Sequence, residues 1–341
     1  MTVRVRLKMR WSCLVVSLFL GLTGCRTATS PPTRPALPPV ATASAAVPPA
    51  APGADGTVDS LRLILRTDHS EYFALTYWSG GLRVKGYLGR PTPGSCLPAV
   101  IYNRGGNQEF GALEGWEIIP YVEAGFVAAA SQFRGNGGGE GREQFGGADV
   151  DDVMNLVPLL KGLPEVDPER IGMTGFSRGG MMTYLALKRQ ALAGSHDIKA
   201  AVTVGGLADL LGDLDDHPHM IEVYQTFIPG WPDEKPYQAR SAVEWPDLIN
   251  VPLLILHGES DDRVPVEQSR RLADLLTKAG KSVKLITYPG DNHPLWANHW
   301  GLVEALAWFD LYLGMPGEDH SFARHRDAMR ELFDKWPGLV R

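Results

Sequence analysis

Apolar residues recur in short blocks over residues 57–314, and the blocks are of two kinds. Runs of five to nine residues rich in β-branched, aromatic and other apolar side chains predict strands at LRLIL (61–65), YFALTYW (72–78), LRVKGYLG (82–89), PAVIYN (98–103), GFVAAAS (125–131), RIGMTGF (170–176), IKAAVTVGG (198–206), VPLLILHG (251–258) and SVKLITYPG (282–290). Apolar residues spaced three and four apart predict helices over 113–124, 148–163, 179–192, 266–280 and 300–314. Several strand runs are apolar without alternation, as expected when both faces of a sheet are covered. Early strands packed close together, followed by β/α alternation, predict an α/β fold: a mostly parallel central sheet with helices on both faces. Residues 207–249 break the rhythm with Asp, Pro and Trp, and read as a small cap inserted after the sixth core strand. Residues 316–341 are polar and read as a C-terminal helical extension.

The first residues follow another pattern. Arg4, Arg6, Lys8 and Arg10 precede the apolar run WSCLVVSLFLGL (11–22), which is short for a bilayer span and fits a secretory signal. The run ends in Leu22-Thr23-Gly24-Cys25, which resembles a bacterial lipobox; residues 1–24 are then a lipoprotein signal peptide and Cys25 the lipidated N-terminus. Arg26 stands where an inner-membrane retention signal carries Asp, so the resemblance implies the outer membrane. Residues 25–55 hold eight of the 26 prolines and no aromatic residue, and read as an extended tether to the catalytic domain at 56–315.

Composition narrows the function classes. With 44% hydrophobic and 21% charged residues, the chain of 341 residues is of globular type. Removing the four basic charges of the leader takes the net charge from −6 to −10, which argues against nucleic acid as a partner. Of three cysteines, only Cys96 falls in the folded part, so no internal disulfide is expected and Cys96 reads as a small buried side chain. There is no CxxC or HExxH spacing, so neither a metal nor a cofactor is expected.

The chemistry lies in Gly175-Phe176-Ser177-Arg178-Gly179, placed between a predicted strand and a predicted helix. A sharp strand-to-helix turn leaves no room for side chains two residues on either side of the serine, hence the glycines. A serine nucleophile needs a base, and the base needs an orienting carboxylate. Asp261 follows one later strand and His293 the next, both at carboxyl ends, where α/β sheets place their sites. His257 opens the turn before Asp261 and reads as structural; Asp262 reads as a turn residue. The glycine-rich run 134–141 lacks the Lys-Ser/Thr of a phosphate loop and reads as a loop lining the site, anchored by Arg134. Phe176, Trp231 and Trp296 are candidates for a substrate pocket, although aromatic residues so placed are more often core.

Together NRGGN (103–107), FRGNGGGEG (133–141), GFSRGG (175–180), HGESDDRVP (257–265) and GDNH (290–293) resemble the α/β-hydrolases of the prolyl oligopeptidase (S9) and dienelactone hydrolase group. The resemblance implies the α/β-hydrolase fold and a triad of Ser177, His293 and Asp261. It also implies an oxyanion hole from the backbone N–H of Arg178 and, in the glycine loop, of Gly106. Arg104-Gly105-Gly106 stands where that loop often begins His-Gly-Gly, and a tether stands where the peptidases carry a β-propeller.

Three functions are then expected to compete: an S9-type serine peptidase acting on small peptides, a carboxylester hydrolase, and a catalytically silent binding lipoprotein. The first two share one triad and differ in the leaving group, since an amine must be protonated as it departs.

Overall fold

The computed structural model describes residues 53–295 and 300–314, together with residues 327, 330 and 331. The expected signal peptide and lipidation site Cys25, all but the last three residues of the expected tether, and Trp296 lie outside the described residues, as does the expected C-terminal extension apart from three helical positions.

Nine strands form one sheet. A meander of β1 (Val58–Arg66), β2 (Ser70–Ser79) and β3 (Leu82–Pro91) leads to β4 (Leu97–Asn103). Then come α1 (Ile119–Glu123), β5 (Val127–Ser131), α2 (Asp149–Met154), α3 (Leu156–Lys161), β6 (Val166–Phe176), α4 (Arg178–Ala193) and β7 (Ile198–Val204). The insertion supplies α5 (Leu210–Asp216), α6 (Met220–Phe227) and α7 (Lys235–Gln238), and β8 (Leu253–Gly258), α8 (Val266–Lys278), β9 (Val283–Tyr288) and α9 (Trp300–Leu313) close the order. The sheet runs β1-β2-β3-β5-β4-β6-β7-β8-β9. Pairing is antiparallel up to β3–β5 and parallel from there on.

The two-residue period of a strand divides the core into two layers. Val127 and Ala129 of β5, with Leu253 and Ile255 of β8, join α2, α3, α4 and α8 on one face. Ala128 and Ala130, with Leu254 and Leu256, join α1 and α9 on the other. The central strands are thus apolar throughout because both faces are covered, and the α/β-hydrolase arrangement follows. Leu207, Leu210, Tyr224, Phe227 and Tyr237 of the 207–249 insertion belong to the same apolar cluster as α4 and α8.

Two predicted helices are shorter than their patterns, for identifiable reasons. The 148–163 helix divides at Asn155 into α2 and α3. Pro158 has no N–H to return to residue 154, and its ring crowds that carbonyl. In 113–124, Gly115 sits at φ 95°, and the helical turns start only after it. One expectation is corrected: Cys96 is exposed, because it lies in the β3–β4 turn at φ 53° rather than within a strand. A buried ion pair braces the β5–α2 connection. Arg134 donates from Nη2 to Asp152 Oδ1 at 2.7 Å and from its backbone N to Oδ2 at 2.7 Å.

Candidate active site

The turn from β6 into α4 is closed by backbone contacts that only glycine permits. A Cβ on Gly175 would strike the Gly179 carbonyl, and a Cβ on Gly179 would strike the Asn103 carbonyl at the end of β4. Asn103 Nδ2 donates to Thr183 Oγ1 at 3.0 Å, and Thr183 Oγ1 donates to Gly179 O at 2.9 Å, which ties α4 to β4. At the apex Ser177 takes φ 56° and ψ −122°, a conformation that costs a non-glycine residue about 1–3 kcal/mol. Its N–H donates to Val204 O at 2.9 Å at the end of β7, so the serine stands over the carboxyl edge of the sheet.

Asp261 and His293 arrive at the same edge from the turns after β8 and β9. His293 Nδ1–H donates to Asp261 Oδ2 at 2.7 Å, which leaves Nε2 as the proton-accepting nitrogen. The backbone N–H groups of Arg263 and Val264 both donate to Asp261 Oδ1 at 2.9 Å. The Asp261 side chain is fully covered. Burial alone would raise its pKa. The hydrogen bonds from His257 and His293, the nearby His293 charge and the Val264 N–H outweigh that, and the carboxyl is held well below the usual carboxylate range.

Gly205 links the serine side to the histidine side. It follows Val204, and a Cβ there would lie 3.2 Å from His293 Nδ1 and 3.3 Å from Asp261 Oδ2. On the other flank the Phe176 ring lies 4.8 Å from the His293 imidazole. Ser177, His293 and Asp261 therefore share one corner. Asp262 is exposed. Trp231 is exposed and stacks edge-on against Tyr237 at 5.4 Å, at the outer end of an aromatic row that continues through Tyr224 to Phe145.

The glycine loop after β4 is pinned from beneath by a buried ionic network. Gly105 faces the elbow, since a Cβ there would lie 3.2 Å from Ser177 Cβ; Gly106 takes φ 65°. Arg178 turns its side chain inward, donating to Gly106 O at 3.0 Å, Glu143 Oε2 at 3.1 Å and Asp149 Oδ2 at 2.6 Å. Its guanidinium also lies over the Phe145 ring, 4.5 Å from the centroid. Glu143 Oε1 accepts from Gln108 N at 2.9 Å, and Arg104 donates to the carbonyls of Gln108 at 2.7 Å and Phe110 at 3.2 Å. Burial, then the neighbouring Arg178 charge, brings the Arg104 guanidinium down to about 10, still cationic at neutral pH. The 134–141 run joins this network, since Asn136 Nδ2 donates to Glu143 Oε2 at 2.8 Å. Glu140 N donates to Arg83 O at 2.9 Å, which lays that run along β3.

Sequence reasoning missed Glu143 and Asp149, which no spacing marks, and the contact of His257 with Asp261, which the four-residue interval in HGESD does announce. Among the described residues, no group of three or more His, Cys, Asp or Glu side chains could hold a metal ion.

Comparisons with known proteins agree with this architecture. The prolyl oligopeptidase family model matches residues 112–316. Bacillus subtilis YtmA, an uncharacterized peptidase, is 32% identical over 238 residues, covering 69% of this chain and 91% of YtmA. The B. subtilis peptidase YuxL is 31% identical over 228 residues, covering 63% of this chain but 34% of YuxL, so the chain spans about a third of that longer relative. A puromycin-hydrolyzing peptidase of Mycobacterium tuberculosis superposes with a TM-score of 0.62 at 24% identity, over 77% of this chain and 41% of that one, a likeness of fold. A sheet, an elbow and a carboxylate-bound histidine of this kind, with a family match over more than half its length, make the chain a serine hydrolase that belongs to the prolyl oligopeptidase (S9) family.

Proposed function

We propose that the protein cleaves amide bonds in small peptides through an acyl-enzyme, with Ser177 as nucleophile, His293 as base and Asp261 as orienting acid. The observation that carries this reading is the 2.7 Å bond from His293 Nδ1–H to Asp261 beside a serine held at φ 56°. Ser177 Oγ adds to the substrate carbonyl as its proton passes to His293 Nε2. Asp261 stabilises the imidazolium, and the proton then goes to the leaving amine. Water repeats the sequence on the acyl-serine to release the acid and restore the serine. The backbone N–H groups of Arg178 and Gly106 receive the negative charge of the tetrahedral intermediate; losing one such donor costs about 3 kcal/mol of barrier stabilisation. The names of the related peptidases support peptides as the substrate class. The Leu22-Thr23-Gly24-Cys25 pattern supports thioether lipidation of Cys25 and placement in the bacterial cell envelope.

A fluorophosphonate probe and a paired substrate panel test the chemistry. The probe is expected to label Ser177 in the native protein, and Ser177→Ala to lose both label and turnover while melting within about 0.5 kcal/mol of wild type. X-Pro and Ala amides are expected to be cleaved alongside p-nitrophenyl acyl esters. Ester turnover without amide cleavage makes the protein a carboxylester hydrolase. The absence of any adduct in the folded protein removes catalysis from the reading.

A further inference from the structure

Asp261 carries more donors than orienting one imidazole requires, and one of them comes from a second histidine. His257 is fully enclosed at the end of β8, and its Nε2 lies 2.8 Å from Val264 O and 3.0 Å from Asp261 Oδ2. A carbonyl only accepts, so Nε2 carries a hydrogen whatever the state of Nδ1, and that hydrogen is shared with the carboxylate. At the ring's other side Ser269 Oγ of α8 lies 2.6 Å from Nδ1 and fixes the ring plane. Asp261 Oδ2 is therefore bracketed by two imidazoles, His257 from within the core and His293 from the site. The residue after His257 completes the device. A Cβ on Gly258 would crowd the Asp291 and Asn292 carbonyls, and Ser260 N donates to Asp291 O at 2.8 Å. The His-Gly pair thus seats the turn bearing Asp261 and the turn bearing His293 against each other.

We infer that His257 is a positioning residue of the hydrolytic site: its Nε2–H holds Asp261 Oδ2 in line with His293 Nδ1 and sets how strongly that carboxylate attracts the imidazolium. The inference rests on the triad reading. A donor on Oδ2 draws charge from the carboxylate, so removing it leaves more charge on the oxygen that accepts from His293 Nδ1 and strengthens its hold on the imidazolium. Other charged groups lie in the same turns and helices. Asp262 and Arg263 lie in the same turn and are exposed, and Asp291 lies in the His293 turn. Arg270 of α8 pairs with Glu259 and Glu267, and Arg271 pairs with Asp209 ahead of α5. Tyr288 of β9 has its phenol pushed above its ordinary range by burial and by Glu304 and Asp291. None of these donates to Asp261 Oδ2 among the described residues.

The test compares His257→Gln, which keeps an amide N–H near the Nε2 position, with His257→Met, which keeps the length and loses the donor. The readout is the pH profile of kcat/KM on a p-nitrophenyl ester. With Met, kcat/KM is expected to fall about tenfold and its acid limb to move up by about half a pH unit, as for loss of one hydrogen bond to a charged group. Gln is expected to keep the wild-type limb. Ser269→Ala frees the ring and is expected to move the limb in the same direction by less; this small change keeps the test open if Met does not fold. Unshifted limbs in folded His257→Met and Ser269→Ala overturn the inference. If His293→Ala instead retains wild-type turnover, it is the triad reading that has failed.

Discussion

Ser177 shows how a single residue trades stability for chemistry. Its backbone at φ 56° is strained for any side chain with a Cβ, at about 1–3 kcal/mol. Replacing it with glycine removes the strain but adds unfolded-state entropy worth about 0.5–1 kcal/mol. Strain relief is the larger effect, so Ser177→Gly is expected to be more stable than wild type by about 1 kcal/mol, while Ser177→Ala, which keeps the Cβ, gains nothing. Urea melts of the three proteins decide it, and equal stability of Gly and Ala would mean that the elbow relaxes when the hydroxyl is lost. The neighbouring positions show what spacing can and cannot reveal. Gly175 and Gly179 were legible because a turn this tight forbids a Cβ at both. Asp261 and His293 were legible because each follows an apolar run that marks a strand end. Cys96 was misread because burial was inferred from residue type, whereas the exposed β3–β4 turn set its environment.

Among the elements, strands were easier to read than helices. Each strand was marked by a self-contained apolar run, whereas the 148–163 and 113–124 helices were cut by Pro158 and Gly115, residues whose effect depends on where a neighbouring turn must close. Least legible was the support beneath the glycine loop. Glu143 falls in a glycine-rich polar stretch and Asp149 in the first turn of the predicted 148–163 helix, where no spacing singles them out, yet they are buried at 3% and 0% exposure because the two arginines reach them. Arg178 is the connecting piece, since its side chain bonds the loop after β4 and both carboxylates from the opening residue of α4. Breaking a buried pair by removing one partner typically costs about 3–5 kcal/mol, because the remaining charge stays buried. Arg178→Met leaves two carboxylates facing a thioether and frees the Gly106 carbonyl. It is expected to destabilise the protein by about 3–5 kcal/mol and to slow fluorophosphonate labelling of Ser177 under conditions where it remains folded. A loss below about 1 kcal/mol would show that water replaces the guanidinium and that the loop holds itself.

On the scale of the whole molecule, the hydrolase residues and the proposed lipidation site fall in different parts of the sequence. The groups placed at the site come from strand ends, turns and the first residues of α2 and α4 between Asn103 and His293. Cys25 belongs to a different part of the sequence, and the proline-rich residues 25–55 between the two contain no aromatic anchor. Each buried CH₂ of an acyl chain contributes about 0.8 kcal/mol, and one chain alone binds a membrane only marginally. The proposed lipidation of Cys25 therefore implies several chains for stable retention, and retention should vanish completely rather than gradually when the thiol is removed. Cys25→Ser is expected to move the protein from the detergent phase to the aqueous phase in a phase-separating detergent extraction, with kcat and KM on a soluble peptide amide unchanged. Equal partitioning of variant and wild type would take lipidation at Cys25 out of the account. A change in kcat would show that the leader and the hydrolase core are not independent.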